Sequence, residues 1–158
     1  MEALPVETVQ DYPRPPRLDR VPQELRVEAA ERVLARTRAG WRVCETHHAP
    51  TYYFPPGDVL PGVLMPSRRR SFCEWKGRAV YFDLDRGDRV VRDAAWAYPE
   101  PTAGFLPIAG HVAIYAWAVD AAWVGETRVD PQPGNFYGGW VTPNLRGRIK
   151  GAPGTEFW

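Results

Sequence analysis

Lysine is nearly missing from this 158-residue chain: Lys76 and Lys150 are lysine, and the other eighteen of its twenty basic side chains are arginine. Among so many arginines no single one is informative, whereas a compact ammonium that can release its proton stands out. Cysteine is equally scarce. Cys44 and Cys73 are too few for a disulfide scaffold and suggest a reduced, cytoplasmic protein. A surplus of charge is lacking as well: 20 basic residues face 19 acidic ones, for a formal net charge of +1. Such a balance creates no field that would gather nucleic acid or an anionic membrane, so neither is expected as a partner. No apolar run approaches the length of a transmembrane span. The opening MEALPVETVQDYPRPP places acids and prolines where a secretory signal needs a basic end and an apolar core. Self-association is left open.

What the chain has in quantity is proline, 17 residues, or about twice the usual share, together with 14 glycines. Proline is excluded from helix interiors and central strands, so the chain must be broken into short elements. Seven Trp, seven Tyr and six Phe favour strands that bury wide rings against a facing sheet. A length of 158 residues and a hydrophobic share of 44% suit one domain with a packed core. The fold class expected is mainly β, a single domain of short antiparallel strands and hairpins.

Along the chain, residues 1–22 read as a proline-rich extended arm, 23–129 as the β-rich core domain, and 130–158 as a glycine- and proline-rich tail packing on that domain. Residues 23–38, QELRVEAAERVLARTR, pose a conflict. They are good helix formers between Pro22 and Gly40, yet Leu25, Val27 and Ala29, then Val33 and Ala35, alternate at a strand period. Local propensity prefers the helix. WRVCE (41–45) and TYYF (51–54) read as strands, and SFCEW and AVYFDL as a hairpin around Lys76-Gly77. AGHVAIYAWAVDAAWV alternates but is alanine-rich enough for a short helix.

Several stretches resemble one family, the bacterial domain of unknown function family 427, in its longer form with a glycine-rich C-terminal tail. They are DYPRPPR (11–17), CETHHAPTYYFPPGDV (44–59), SFCEWKGRAVYF (71–82), AAWAYPEP (94–101), IAGHVAIY (108–115) and DPQPGNFYGGWVTPNLRGRIKGAPGTEFW (130–158). The resemblance implies a β-tent fold, shared with methionine sulfoxide reductase B and several zinc-bearing ligand-binding domains. It also implies a hairpin at 23–38, where members carry a Gly-Gly turn and this chain has Ala30-Glu31. The family has no agreed activity, so the resemblance brings a fold and motif positions but no reaction.

On a strand, Ser71, Cys73 and Trp75 share one face and Phe72, Glu74 and Lys76 the other, so alternation separates Lys76 from Cys73 unless the turn twists it back. Cys73 reads as an inert core thiol, with a catalytic role for Cys73 or Lys76 as the weaker candidate. Cys44, His47, His48 and Cys73 include a Cys-x-x-His spacing. Zinc-bearing β-tent proteins use paired Cys-x-x-Cys knuckles, which this chain does not have, so neither a metal nor a cofactor is expected. The ligand-binding candidates are Glu45, His48, Tyr52, Tyr53, Lys76, Tyr81, Trp96, Tyr98 and His111. If they meet on one concave face, the rings would stack a small planar ligand while Glu45 or Lys76 fixes its charge. The competing reading makes the aromatics core, with their polar tips bonded to backbone. Two look-alikes carry no function: GRIKGAPGT lacks the order of a phosphate loop, and Arg86-Gly87-Asp88 is a turn composition. The alternatives to a ligand-binding domain are an enzyme using Cys73 or Lys76 and a protein-interaction module using the arm or tail.

Overall fold

The computed structural model describes residues 3–134 and 136–158. Its strands run β1 (Glu7–Thr8), β2 (Arg17–Arg20), β3 (Leu25–Ala29), β4 (Arg32–Thr37), β5 (Trp41–Cys44) and β6 (Thr51–Tyr53). Then follow β7 (Leu64–Cys73), β8 (Gly77–Asp85), β9 (Val90–Ala97), β10 (Val112–Ile114) and β11 (Ala121–Val124). The last four are two-residue strands: β12 (Thr127–Arg128), β13 (Asp130–Pro131), β14 (Trp140–Val141) and β15 (Leu145–Arg146). Among the described residues, helical structure is confined to 3-10 turns of three to six residues, the longest over Ala103–Ile108. No helix among the described residues is long and apolar enough to cross a membrane.

The conflict at 23–38 resolves as a hairpin. β3 buries Leu25, Val27 and Ala29 and turns Arg26 and Glu28 outward, and Ala29 pairs with Arg32 across a two-residue loop. Ala30 and Glu31 both adopt positive φ, 51° and 62°, the conformation that a tight right-twisted hairpin demands and that glycine or asparagine adopts at least cost. Asp120 steadies the turn by accepting a hydrogen bond from the Ala30 amide at 2.9 Å. A register shift between Val27 and Glu28 leaves Leu34 as the extra residue of β4, so Leu34 and Ala35 both point inward. Tertiary burial thus outweighs helical propensity here.

Two four-stranded sheets, ordered β10-β9-β8-β7 and β12-β11-β3-β4, and a three-stranded sheet, β2-β5-β6, carry the fold, all antiparallel. The chain is mainly β, built from small sheets that do not close into a barrel. Phe54 and Val112 exchange both backbone hydrogen bonds at 2.8 Å, which locks the end of β6 to β10 and so joins two sheets. One core unites them, with Leu25, Leu34, Tyr53, Phe54, Leu84, Ile108, Ile114 and Trp140 among its members. Trp140 is fully buried, donates from Nε1 to the Ile114 carbonyl at 3.0 Å and stacks on Tyr52. The alanine-rich stretch 109–124 divides into β10, a 3-10 turn at Ala116–Ala118, and β11.

Segments of the arm and of the tail both lie on this body. β1 pairs in parallel with β15, and β2 pairs with β5, so arm and tail are tied to each other and to the sheets. Arg86 of the Arg-Gly-Asp turn is buried and bonded to Asp88 and Asp120, so its guanidinium is engaged within the fold while Gly87 and Asp88 are exposed.

Candidate functional site

The hairpin β7–β8 pairs Cys73 with Gly77, which leaves Glu74, Trp75 and Lys76 as a three-residue loop. Alternation therefore ends before Lys76, and the loop returns its side chain to the face that carries Ser71 and Cys73. Thr102 clips the loop from outside: its amide donates to the Lys76 carbonyl at 3.2 Å and its hydroxyl to the Trp75 carbonyl at 2.6 Å. Gly77 and Gly151, the glycines that follow the two lysines, both sit at φ +103°, where a side chain would be strained.

Lys76 and Cys73 line a cavity of about 290 Å³. β8 and β9 contribute Tyr81 and Trp96, with Tyr98 just beyond β9; Tyr115 follows β10. From the other side come Glu45, His48, Thr51 and Tyr53 of the β5–β6 segment, and from the tail Phe136, Tyr137, Gly138, Gly139 and Lys150. Of the residues singled out from sequence, Glu45, His48, Tyr53, Lys76, Tyr81, Trp96 and Tyr98 thus share one cavity. Tyr52, the neighbour of Tyr53 on β6, faces away and stacks on Trp140 at 5.2 Å between centroids. His111 follows Gly110 and directs Nδ1 to the Ala109 carbonyl, away from the cavity lining.

The rings meet at defined angles. Trp96 and Tyr115 are 4.6 Å apart between centroids, tilted by 47°. Tyr115 donates its hydroxyl to the Phe136 carbonyl at 2.9 Å, and Tyr81 and Ser71 share a hydroxyl hydrogen bond of 2.9 Å. Burial drives the Tyr53 and Tyr98 phenols far above their ordinary pKa of 10 and pushes Tyr115 up to about 12. These phenols are neutral and keep their protons as donors.

Gln132, buried in the tail and unremarkable in sequence, organises the polar side. Its Oε1 accepts from the Ala49 amide at 3.2 Å, which directs its NH2 group to the Lys150 carbonyl at 2.9 Å and to His48 Nδ1 at 3.2 Å. An amide NH2 has only donors to offer, so Nδ1 must be the acceptor and His48 is the neutral tautomer protonated at Nε2. That Nε2 lies 3.6 Å from Glu45 Oε2. Burial lowers the His48 pKa, Glu45 opposes this, and the positive charges of Lys150, Lys76 and His47 add to the lowering, so the neutral form is favoured. The His47 carbonyl accepts from the Lys150 amide at 2.7 Å and so places Lys150 beside His48.

The residues weighed as a zinc set do not converge. Cys44 is buried with Val9 and Tyr12 in a separate cluster, and His47 packs against Trp158 and Gln10. No group of three His, Cys, Asp or Glu side chains suited to a metal occurs among the described residues. A larger cavity, about 560 Å³, lies beside the arm and is lined by Leu18, Trp41 and Tyr52. Three of its charges are matched to one another: Arg42 forks onto Glu7 at 2.9 and 2.7 Å and reaches Asp19 at 3.1 Å, while Arg20 lies over the Trp41 ring at 5.2 Å.

A family model described as a domain of unknown function, DUF427, matches residues 17–125. The chain belongs to that family. The DUF427 match takes in Glu45, Lys76, Trp96 and Tyr115 but ends before the tail residues that close the cavity. No curated protein matches the chain significantly.

Proposed function

We propose that this DUF427 chain binds a small planar molecule in the cavity enclosed by Trp96 and the tyrosines. One observation carries the reading: eight aromatic residues from several segments, among them Tyr53, Tyr81, Trp96, Tyr98, Tyr115 and Tyr137, line the same opening together with Lys76, Glu45 and His48. Tyr53, Tyr81, Trp96, Tyr98 and Tyr115 belong to the buried core and at the same time border this cavity, which supports the reading. An apolar wall with a few convergent polar groups is the form that small-molecule sites take. At about 30 Å³ for each water, the volume corresponds to roughly ten waters, the size of a one- or two-ring molecule.

Native and denaturing mass spectrometry of gently purified protein tests this directly. Mass lost on denaturation would identify a retained ligand. A bare protein in both measurements, with no thermal shift from any planar compound in a fragment screen, would end the reading.

A second reading is favoured by the meeting of Cys73 and Lys76 in one cavity, which makes an enzyme with a thiol or amine nucleophile the alternative. Faster alkylation of Cys73 than of free cysteine would support it. The packing of arm and tail onto the sheets argues against these segments as the free contacts of a protein-interaction module.

A further inference from the structure

We propose that the cavity takes an anion: a planar one- or two-ring aromatic acid whose carboxylate or phosphate is held by Lys76 and Lys150 while its ring lies against Trp96. This rests on the binding reading above and adds the charge of what is bound.

Charge selection in the lining points this way. Of twenty basic residues in the chain, eighteen are arginine, yet both lysines and no arginine line this cavity. A lysine presents a point charge with three donors on a slim stem, which suits one oxyanion in a small space better than a broad planar fork. Lys76 is only 7% exposed, and among the described residues no carboxylate lies in ion-pair range of it. Its Nζ has ring faces for neighbours, Tyr98 at 5.6 Å and Phe105 at 5.9 Å. Rings stabilise a cation only in part, so an incoming anion would give Lys76 a charge-assisted partner that no carboxylate among the described residues supplies.

The remaining polar groups reinforce the sign. Glu45 is directed at His48, which is neutral, and the buried tyrosines offer hydroxyl protons. Two lysines against one glutamate leave the lining one positive charge in excess. Lys150 Nζ stands 5.6 Å from the Tyr137 centroid, on the tail side. A monoanion entering between β8–β9 and the tail therefore meets a lysine on each side.

The test is calorimetric titration of the full chain with three probes of one shape: 2-naphthoate, 2-naphthamide and 2-naphthyl phosphate. The acid, the phosphate or both should bind at least about tenfold more tightly than the amide, as expected for a charge-assisted hydrogen bond. The tighter of the two names the headgroup. Lys76→Met and Lys150→Met should each shrink the preference for the charged probes over the amide, and the double variant should abolish it, whereas Trp96→Leu should weaken all three probes alike. Lys150 is half-buried on the tail, so its variant supplies the comparison should Lys76→Met fail to fold. Equal affinity for acid, phosphate and amide would overturn the anion proposal and leave the binding reading standing. Failure of all three to bind at millimolar concentration would sink the binding reading and the anion proposal together.

Discussion

Gly138 lies flat against the Trp96 indole, so close that a methyl group in place of its hydrogen would sit 1.9 Å from Cη2. The tail can reach the cavity only because residue 138 has no side chain. Trp96 is itself wedged against Tyr115 and cannot swing aside cheaply. Gly138→Ala should therefore destabilise the protein by about 1–3 kcal/mol, the usual cost of overpacking, and lower Tm by about 2–4 °C for each kcal/mol. Thermal melts with near-UV circular dichroism, which reports the Trp96 environment, check this. An unchanged melt and spectrum would show that the tail yields freely.

His48 and Gln132 make the closure of the cavity dependent on pH. The folded protein holds His48 below its ordinary pKa of 6.5, so it binds fewer protons there than the unfolded chain does. Stability from this source is complete above pH 6.5 and is lost as pH falls through the folded value. A proton on Nδ1 would face the Gln132 NH2 group, donor against donor, and loosen the tail. A histidine-resolved NMR titration should place the His48 midpoint below 6.5, and Lys150→Met should raise it by removing a nearby positive charge. A midpoint at or above 6.5 in the unmodified chain would contradict the lowering of the His48 pKa by burial.

Gln132→Leu should cost about 1–3 kcal/mol, because the Ala49 amide and the Lys150 carbonyl lose their partner inside the protein. Hydrogen exchange should quicken at Ala49 and across 136–140 more than in β8 or β9. Uniform quickening would mean that Gln132 supports the whole fold and not the tail in particular.

The hairpin at Ala30-Glu31 carries removable strain. Two non-glycine residues at positive φ cost about 1 kcal/mol each. Ala30→Asn combined with Glu31→Gly, the pair preferred in such turns, should stabilise the protein by about 1 kcal/mol after the entropy of the added glycine. Chemical denaturation measures it. A loss of stability would show that the Glu31 side chain makes a contribution larger than the strain it brings.

The two thiols should separate in reactivity. Cys44 is fully buried, and burial pushes its thiol up to about 12, so N-ethylmaleimide should spare it until the protein unfolds. Cys73 is half-buried at the cavity and should be modified in the native state, more slowly when a probe fills the space. Peptide mapping after a timed pulse distinguishes the sites. Native labelling of Cys44 would contradict its placement.

Much of this architecture can be read from the chain because the relevant forces are local. The β7–β8 and β5–β6 pairings follow from alternation between turn residues, and the aromatic candidates follow from those strands. The β3–β4 hairpin is different: its residues favour a helix on their own, and only burial of Leu25, Val27 and Leu34 against other strands reverses that preference. Alternation also bears on the site. Tyr52 and Tyr53 are neighbours on one strand and must face opposite ways, so only one of them lines the cavity. Lys76 reaches the Cys73 face because a three-residue loop suspends the strand period, a detail set by how Cys73 pairs with Gly77. Gln132, Tyr137 and Gly138 belong to a segment with no periodicity, where nothing in the residue order discloses which side chains point inward.

The strands of the tail pair with β1 and with one another, and among the described residues none joins the β7–β10 sheet. The cavity is thus a two-part mould whose halves meet through side chains and a few loop hydrogen bonds. Re-lining it would not require any sheet to change register. Replacing Phe136, Tyr137 and Lys150 would change the tail's share of the lining while leaving Trp140 in the core, which makes these positions the natural place to redesign what the chain holds.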